Sequence, residues 1–203
     1  MIDKGSLIVL SGPSGTGKGT LLAEFKKVYG SESIVYSVSD TTRAIRPGEI
    51  PDVSYHYITN EEFNHKKENG GYLEYASFCE NQYGTPKKFV MDNLEKGIDV
   101  VLEIETVGAR KVKESYPDAV MVFILPPSLD ELKRRLIGRG TESMEVIEKR
   151  FNAAKDELKL AVLYDYVIVN DSIEKATYEF YSVITAERLK TKNNKKIISE
   201  VCK

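Results

Sequence analysis

The chain has 203 residues, a formal net charge of −2 and a hydrophobic content of 41%. This length favours one well-buried domain with elaborations over two complete domains. The small net charge gives no electrostatic reason to expect nucleic acid or a membrane as a partner, and no stretch approaches the roughly 20 apolar residues of a membrane helix. The two cysteines, Cys79 and Cys202, lack metal-ligand spacing and disulfide density. We therefore expect a protein of the reducing cytoplasm.

A glycine-rich loop lies between a predicted strand at 6–10 and a helical pattern that begins near Leu21. Gly12 and the pair Gly17-Lys18 have four residues between them, which is the spacing of a phosphate-binding P-loop. Backbone N–H groups and a helix N-terminus would cradle the phosphates, and Lys18 would neutralise them. The residues predicted to form this site are Gly12, Pro13, Ser14, Gly15, Thr16, Gly17, Lys18, Gly19 and Thr20. The alternative is a glycine-rich turn after a buried strand.

The loop departs from the P-loop pattern at one position. Gly19 stands where a Ser or Thr hydroxyl would ligate Mg²⁺, and Thr20 follows one place late. We therefore expect Mg²⁺ to be held largely through water rather than by a side chain of the loop.

Near-continuous apolar runs predict five strands, at 6–10, 34–38, 98–104, 119–125 and 166–169. Strands this uniformly apolar are buried on both faces, so the pattern favours a parallel α/β sheet with helices on both sides. Helices are predicted at 61–69, from 86 to about 96, and over 144–161. Two more are predicted from a capping box of Ser128 with Glu131 and from Asp171. The basic segment 190–203 is predicted to be a solvated terminal segment.

The segment 37–86 interrupts this rhythm of buried strands. Short strands are predicted at 54–59 and 72–78, and a loop at 82–86. We interpret the segment as an inserted substrate lobe.

The first group of candidate site residues comprises Ser39, Arg43, Arg46 and Tyr55. Two arginines three residues apart, with hydroxyl donors beside them, suit a second phosphate because a guanidinium fork matches its oxygens. A solvated basic loop is the alternative.

A second group lies at strand ends, where ligands bind in open α/β sheets: Glu74, Tyr83, Thr85, Glu103 and Glu105. A carboxylate can accept both N1–H and N2–H₂ of guanine, while it would face a lone pair at N1 of adenine. A carboxylate in a base pocket therefore favours guanine. For Glu74, a surface charge at a strand edge is the equal alternative.

The third group is Arg135, Arg139 and Arg150. Gly138 and Gly140 flank Arg139, as in a loop whose arginine closes onto charge that develops between two phosphates. Arginines on a helix surface are the alternative.

Together these stretches resemble the guanylate kinase family, from about residue 5 to about 188. The matching stretches are GPSGTGK at 12–18, SVSDTTR at 37–43, RPGE at 46–49, LEYA at 73–76, NQYGTP at 81–86, GRGTE at 138–142, KRFNAA at 149–154 and VND at 169–171. The resemblance implies an α/β P-loop NTPase fold with a core of 1–36, 89–126 and 159–203, a GMP-binding lobe at about 37–88 and a helical lid at about 127–158.

The activity that the resemblance implies is transfer of the γ-phosphoryl group of ATP to GMP, with dGMP as a further acceptor and Mg²⁺ bridging the ATP phosphates. No nucleic acid or membrane partner is implied. Lys18, Arg139 and Arg150 would be catalytic, Asn170 would lie near the adenine of ATP, and Glu103 would orient water bound to Mg²⁺. The residues that would hold GMP are Ser39, Arg43, Arg46, Tyr55, Glu74, Tyr83, Thr85 and Glu105.

The chain departs from the family pattern at several positions. Asp52 and Ser54 precede Tyr55 where the family usually has Gly and Asp, Glu105 replaces a common Asp, and Val107 replaces a usual Gln. Two alternatives to a GMP kinase stay open. One is a kinase for another nucleotide or for a phosphorylated sugar, and the other is a non-catalytic phosphopeptide-binding module.

Overall fold

A five-stranded parallel sheet forms the centre of the molecule, within the residues 4–78, 80–138 and 143–203 that the computed structural model describes. In spatial order its strands are β2 (Ile34–Tyr36), β7 (Asp99–Glu103), β1 (Leu7–Ser11), β8 (Val120–Leu125) and β9 (Tyr166–Val169). The predicted parallel α/β sheet is thereby confirmed. Because β1 is central, the loop that follows it lies in the middle of the carboxyl edge of the sheet.

Helices cover both faces of this sheet, because alternate residues of each strand point to opposite sides. Ile8 and Leu10 pack toward α1 (Lys18–Tyr29) and α7 (Ile173–Leu189). Leu7 and Val9 pack toward α3 (Lys87–Glu95) and α4 (Thr106–Ser115). Among the described residues, no helix is long and apolar enough to cross a membrane.

A second, four-stranded sheet is built from the inserted segment, in the order β4, β3, β6, β5. Its strands are β3 (Asp40–Thr41), β4 (His56–Tyr57), β5 (Tyr72–Phe78) and β6 (Asn81–Pro86). The helix α2 (Asn60–Glu68) packs on it through Phe63, whose ring stacks on Tyr72 at 4.6 Å. The predicted loop at 82–86 is wrong, because this polar stretch pairs antiparallel with both β5 and β3. The strand β3 has no counterpart in the sequence prediction.

Two helices, α5 (Leu129–Ile137) and α6 (Met144–Leu158), pack on each other through an apolar cluster centred on Leu132, Leu136 and Phe151. The Ser128 hydroxyl accepts from the Glu131 N–H, as predicted. The second half of the predicted capping box is not formed, since the Glu131 carboxylate pairs with Arg134 and Arg135 instead.

Several predicted boundaries shift in the C-terminal third. The helix predicted over 144–161 ends at Leu158, and a 3₁₀ turn, Lys159–Leu163, follows it. The N-cap of α7 is Ser172 rather than Asp171. The basic tail, predicted to be a simple solvated segment, contains a short exposed helix, α8 (Lys195–Val201).

Candidate active site

The predicted P-loop connects β1 to α1. Gly12, Gly15 and Gly17 adopt φ angles of 143°, 92° and 86°, a region that L-residues with a side chain rarely occupy. At Gly12 the constraint is also steric, because a Cβ there would lie 2.6 Å from the Ile124 carbonyl oxygen. The Lys18 ammonium folds back over the loop and donates to the carbonyl oxygens of Gly12 at 2.6 Å and Pro13 at 3.0 Å. The lysine is thus held at the mouth of the loop.

Asn170, which follows β9, supports the loop from below. Its side-chain amide donates to the Thr16 carbonyl oxygen at 2.8 Å, and the residue is buried. A Cβ on Gly17 would lie 2.4 Å from that amide nitrogen. Arg135 of α5 donates to the Asn170 carbonyl oxygen at 3.0 Å. The predicted position of Asn170 near an adenine stays a prediction. In the structure, its side-chain amide holds the P-loop through Thr16.

Glu103, at the end of β7, faces the first turn of α1. A Cβ on Gly19 would lie 3.6 Å from a carboxylate oxygen of Glu103. Glu103 is exposed, but the protein atoms that surround its carboxyl group raise its pKa, and the positive charges of Lys18 and Lys26 oppose that effect. An oxygen ligand without a loop hydroxyl beside it suits Mg²⁺, which keeps several of its waters. Within the described ranges, no cluster of three metal-ligating side chains is present.

Arg43 is the most constrained residue of the predicted phosphate group. It is buried, and its guanidinium forms two hydrogen bonds with the Glu49 carboxylate, at 2.7 and 3.1 Å. The pairing with Glu49, together with contact from the Tyr83 hydroxyl, raises the pKa of Arg43 against the effect of its burial. Arg46 is exposed. The Arg43 guanidinium, which is expected to bind a phosphate, is thus already paired with the Glu49 carboxylate. The sequence did not indicate this pairing.

Three tyrosines line the same region. Tyr55 packs edge-on against Tyr57 and Tyr83, with ring centroids 6.1 and 5.9 Å apart. The Arg43 guanidinium lies 5.4 Å from the centre of the Tyr55 ring. Burial raises the pKa of the Tyr55 hydroxyl, and the neighbouring Tyr83 and Glu103 side chains add to the effect. The charge of Glu103 thus acts on both Tyr55 and Lys18.

Glu74 and Thr85 form a cross-strand pair between β5 and β6. The Thr85 hydroxyl donates to a carboxylate oxygen of Glu74 at 2.7 Å, and the two residues are 0% and 7% exposed, respectively. Burial raises the pKa of Glu74, which the hydrogen bond from Thr85 partly offsets. Gly108 of α4 lets the carboxylate approach, since a Cβ there would lie 3.1 Å from its second oxygen. Glu74 is therefore a buried carboxylate and not a surface charge at a strand edge.

The remaining predicted site residues are Ser39, Glu105, Arg150 and Arg139. Ser39 is half-buried between β2 and β3, and Glu105 is exposed at the N-cap of α4. Arg150 lies half-buried on α6. Arg139 lies outside the described residues, so its predicted role stays a prediction.

The departures near Tyr55 have a structural explanation. Asp52 has φ 62°, a left-handed conformation that glycine adopts more readily, and its carboxylate pairs with His56 Nδ1 at 2.7 Å. The Ser54 hydroxyl accepts from the Ile50 N–H at 3.1 Å, a contact that a carboxylate could equally accept. Val107 is 53% exposed on α4. The substitutions at positions 52 and 54 thus keep the turn that carries Tyr55.

Two acidic residues of the cleft were missed by the sequence analysis. Glu49 was read only as part of a matching motif, and its pairing with Arg43 spans six residues of irregular chain. Glu157 of α6 has its pKa raised by burial and by the nearby charge of Glu105, and lowered by Lys18. Glu157 sits in an amphipathic helix among other charged residues, so no sequence signal distinguished it from a solvated position.

Known proteins resemble this chain over nearly its whole length. The family model for guanylate kinase matches residues 4–187. The guanylate kinase of Clostridioides difficile is 48% identical over 199 residues, covering 98% of this chain and 96% of that protein. The guanylate kinase of Streptococcus pneumoniae is 52% identical over 187 residues, covering 92% and 89%. Both similarities extend over nearly the whole length of each protein.

Solved structures agree as well. The crystal structure of guanylate kinase from Anaplasma phagocytophilum superposes with a TM-score of 0.76 at 37% identity, covering 95% of this chain and 92% of that one. The crystal structure of TT1252 from Thermus thermophilus, with a TM-score of 0.51 at 16% identity, shares the fold alone.

The fold and the family match together define a P-loop enzyme of the nucleoside monophosphate kinase class. Within that class, the chain belongs to the guanylate kinase family. The resemblance stated from the sequence motifs is confirmed.

Proposed function

We propose that this protein transfers the γ-phosphoryl group of ATP to GMP, giving ADP and GDP. The observation that carries the proposal is the buried Glu74–Thr85 pair, a carboxylate held by a hydroxyl inside the segment predicted to bind the acceptor. An ionised carboxylate there would accept two N–H groups of guanine and would face a lone pair at N1 of adenine. Family membership supports the assignment.

In the proposed mechanism, an oxygen of the GMP phosphate attacks the γ-phosphorus, and the bond between that phosphorus and the β–γ bridging oxygen breaks. No general base is required, because the acceptor phosphate is already anionic. The P-loop residues 12–20 bind the ATP phosphates through backbone N–H groups, with Asn170 supporting the loop. Lys18, Arg139 and Arg150 neutralise the charge that spreads over the transferring group.

The acceptor is held by two sets of residues. Arg43, Arg46, Tyr55 and Tyr83 take its phosphate, and Glu74 and Glu105 read its base. Ser39 and Thr85 belong to the same set of GMP-binding residues. Glu103, whose carboxylate faces Gly19, would help to hold Mg²⁺ through water, and the ion would supply positive charge that offsets the charge of the ATP phosphates. Closure of the lobe at about 37–88 and the lid at about 127–158 over the core would exclude water and limit wasteful hydrolysis of ATP.

The test is ADP release from Mg·ATP with GMP, dGMP, AMP, CMP or UMP as acceptor, beside a control without acceptor. We expect ADP with GMP and, more weakly, with dGMP. Activity with another nucleotide would overturn the role of Glu74 in base selection. If folded protein releases no ADP with any of the five, a phosphorylated sugar as acceptor or a phosphopeptide-binding module becomes the better assignment.

A further inference from the structure

The carboxylate of Glu49, in the loop that precedes β4, accepts hydrogen bonds from several groups around it. One oxygen accepts from Arg43 Nη2 at 2.7 Å. The other accepts from Arg43 Nη1 at 3.1 Å, from the Arg46 backbone N–H at 2.8 Å and from the Tyr57 hydroxyl at 2.8 Å. Four hydrogen bonds from three residues therefore converge on one side chain. The hydrogen bonds from Arg43, the Arg46 backbone and Tyr57 hold the pKa of Glu49 at about 2, so it is ionised at neutral pH.

The guanidinium groups of Arg43 and Arg46 differ in their hydrogen bonding. Both amino groups of Arg43 are engaged, since Nη1 also donates to the Ala44 carbonyl oxygen at 2.8 Å. The backbone of Arg46 is fixed by Glu49, while its exposed guanidinium forms no ion pair with any described residue. The Glu49 carboxylate therefore compensates the charge of Arg43 directly and contacts Arg46 only through its backbone N–H.

We propose that Glu49 is a positioning residue of the acceptor-phosphate site, rather than a residue that touches the acceptor. It fixes the guanidinium of Arg43, the backbone of Arg46 and the ring of Tyr57 before the nucleotide arrives. The inference rests on the proposed function, because it assigns the phosphate that these arginines would receive. A prearranged site loses less side-chain and loop entropy on binding, so the gain should appear in the affinity for the phosphate.

The carboxylate could instead compete with the nucleotide phosphate for Arg43. The geometry favours positioning, because only two of the four hydrogen bonds involve that guanidinium and the other two fix Arg46 and Tyr57. A competitor would need no contact with the neighbouring backbone. The two roles predict opposite signs for the effect of removing the charge.

The experiment compares GMP with guanosine, which has the same base and sugar but no phosphate. Dissociation constants for both are measured by calorimetry on the wild type, Glu49→Gln and Glu49→Asp. Glu68→Gln serves as the matched control, because Glu68 is an exposed carboxylate at the end of α2 in the same part of the fold. Steady-state KM for GMP and ATP and kcat are measured alongside.

For Glu49→Gln we expect GMP to bind roughly 10- to 100-fold more weakly, the loss typical of a removed charge-assisted hydrogen bond, with guanosine changed by less than about twofold. KM for ATP and kcat should stay within about threefold of the wild type. Glu49→Asp should recover part of the loss, because it keeps the carboxylate but shortens it. Glu68→Gln should match the wild type throughout.

Equal weakening of GMP and guanosine would overturn the inference, because Glu49 would then support only the fold. Unchanged or tighter GMP binding would also overturn it, the latter by making Glu49 a competitor. If Glu49→Gln does not fold, the GMP-to-guanosine comparison on Glu49→Asp decides by the same criterion. A wild type that neither binds nor phosphorylates GMP would overturn the proposed function together with this inference, whereas a GMP-active wild type with an unaffected variant would overturn the inference alone.

Discussion

Replacing Glu74 with Gln separates the affinity for guanine from the stability of the fold. The carboxylate is 7% exposed and already accepts one hydrogen bond from Thr85. In Glu74→Gln, if the Thr85 hydroxyl keeps the amide oxygen, the amide NH₂ meets the N–H groups of guanine. If the amide flips, a single oxygen serves both guanine donors. Either arrangement leaves a buried donor unpaired, which costs about 1–3 kcal/mol, or roughly a 5- to 150-fold loss of GMP affinity.

The same substitution should not destabilise the free protein. Because burial raises the folded-state pKa of Glu74, the folded protein binds this proton more tightly than the unfolded chain does. Its favourable contribution is present below the unfolded pKa of about 4.3 and is lost as pH rises through the higher folded pKa. At neutral pH the buried charge therefore opposes folding, and Glu74→Gln should keep or raise Tm.

Calorimetry with GMP and thermal unfolding at pH 7 and pH 4 measure the two effects, with Glu68→Gln as the control on an exposed carboxylate. We expect weaker GMP binding, a Tm at pH 7 that is equal or higher, and a smaller difference in Tm between wild type and variant at pH 4. Unchanged GMP affinity would place Glu74 outside the base pocket. A marked fall in Tm at pH 7 would refute the argument that its ionised form is costly to bury.

Three further predictions concern Lys18, Gly17 and Glu49. Lys18→Ala should lower kcat by orders of magnitude with GMP affinity nearly intact, and unchanged turnover in an ADP-release assay would contradict the role of the loop. Gly17→Ala should lower Tm and raise KM for ATP. The loss of stability should exceed the backbone strain of about 1–2 kcal/mol, because the new Cβ collides with Asn170. Gly48→Ala, at the same φ of 86° with nothing within 4 Å, should show the strain alone in thermal unfolding, and equal losses would exclude the collision. Glu49 has a depressed pKa of about 2, so its contribution to stability is present above about pH 4.3 and is lost as pH falls toward 2; acid unfolding of Glu49→Gln should lack that part of the pH dependence.

The main sheet was predictable because its strands carry their signal locally. Each of the five runs is apolar over nearly its whole length, and the three central strands β7, β1 and β8 are almost wholly buried. The expected burial on both faces is wrong for the edge strand β9, where Val167 and Val169 are exposed.

The stretch that forms β6 has no such signal, since Gln82, Gly84 and Pro86 are typical of a loop. It becomes a strand through its partners, with Gly84 opposite both Asp40 and Tyr75. Pairing between residues distant in the chain cannot be derived from local composition.

In the candidate site, too, the features that follow from local sequence were predictable and those that depend on tertiary pairing were not. The spacing of glycines around Lys18 is a local pattern, and the structure places that loop as expected. The direct pairing of Glu74 with Thr85 depends on the register of β5 and β6, which the sequence left undefined. Glu49 was missed because a carboxylate in a polar loop is normally solvated, and only the folded chain reveals four donors around it.

The position of β1 at the centre of the main sheet has a consequence for the synthesis of the chain. Its two neighbours, β7 and β8, are encoded by residues 99–125, whereas β1 itself ends at Ser11. At about 5–20 residues per second, this apolar strand waits roughly 5–20 s for its partners. The hairpin of β5 and β6 closes over a few residues and can pair first. Nascent chains that end before β8 should therefore depend most on chaperones, because at least one edge of β1 has no partner strand in them.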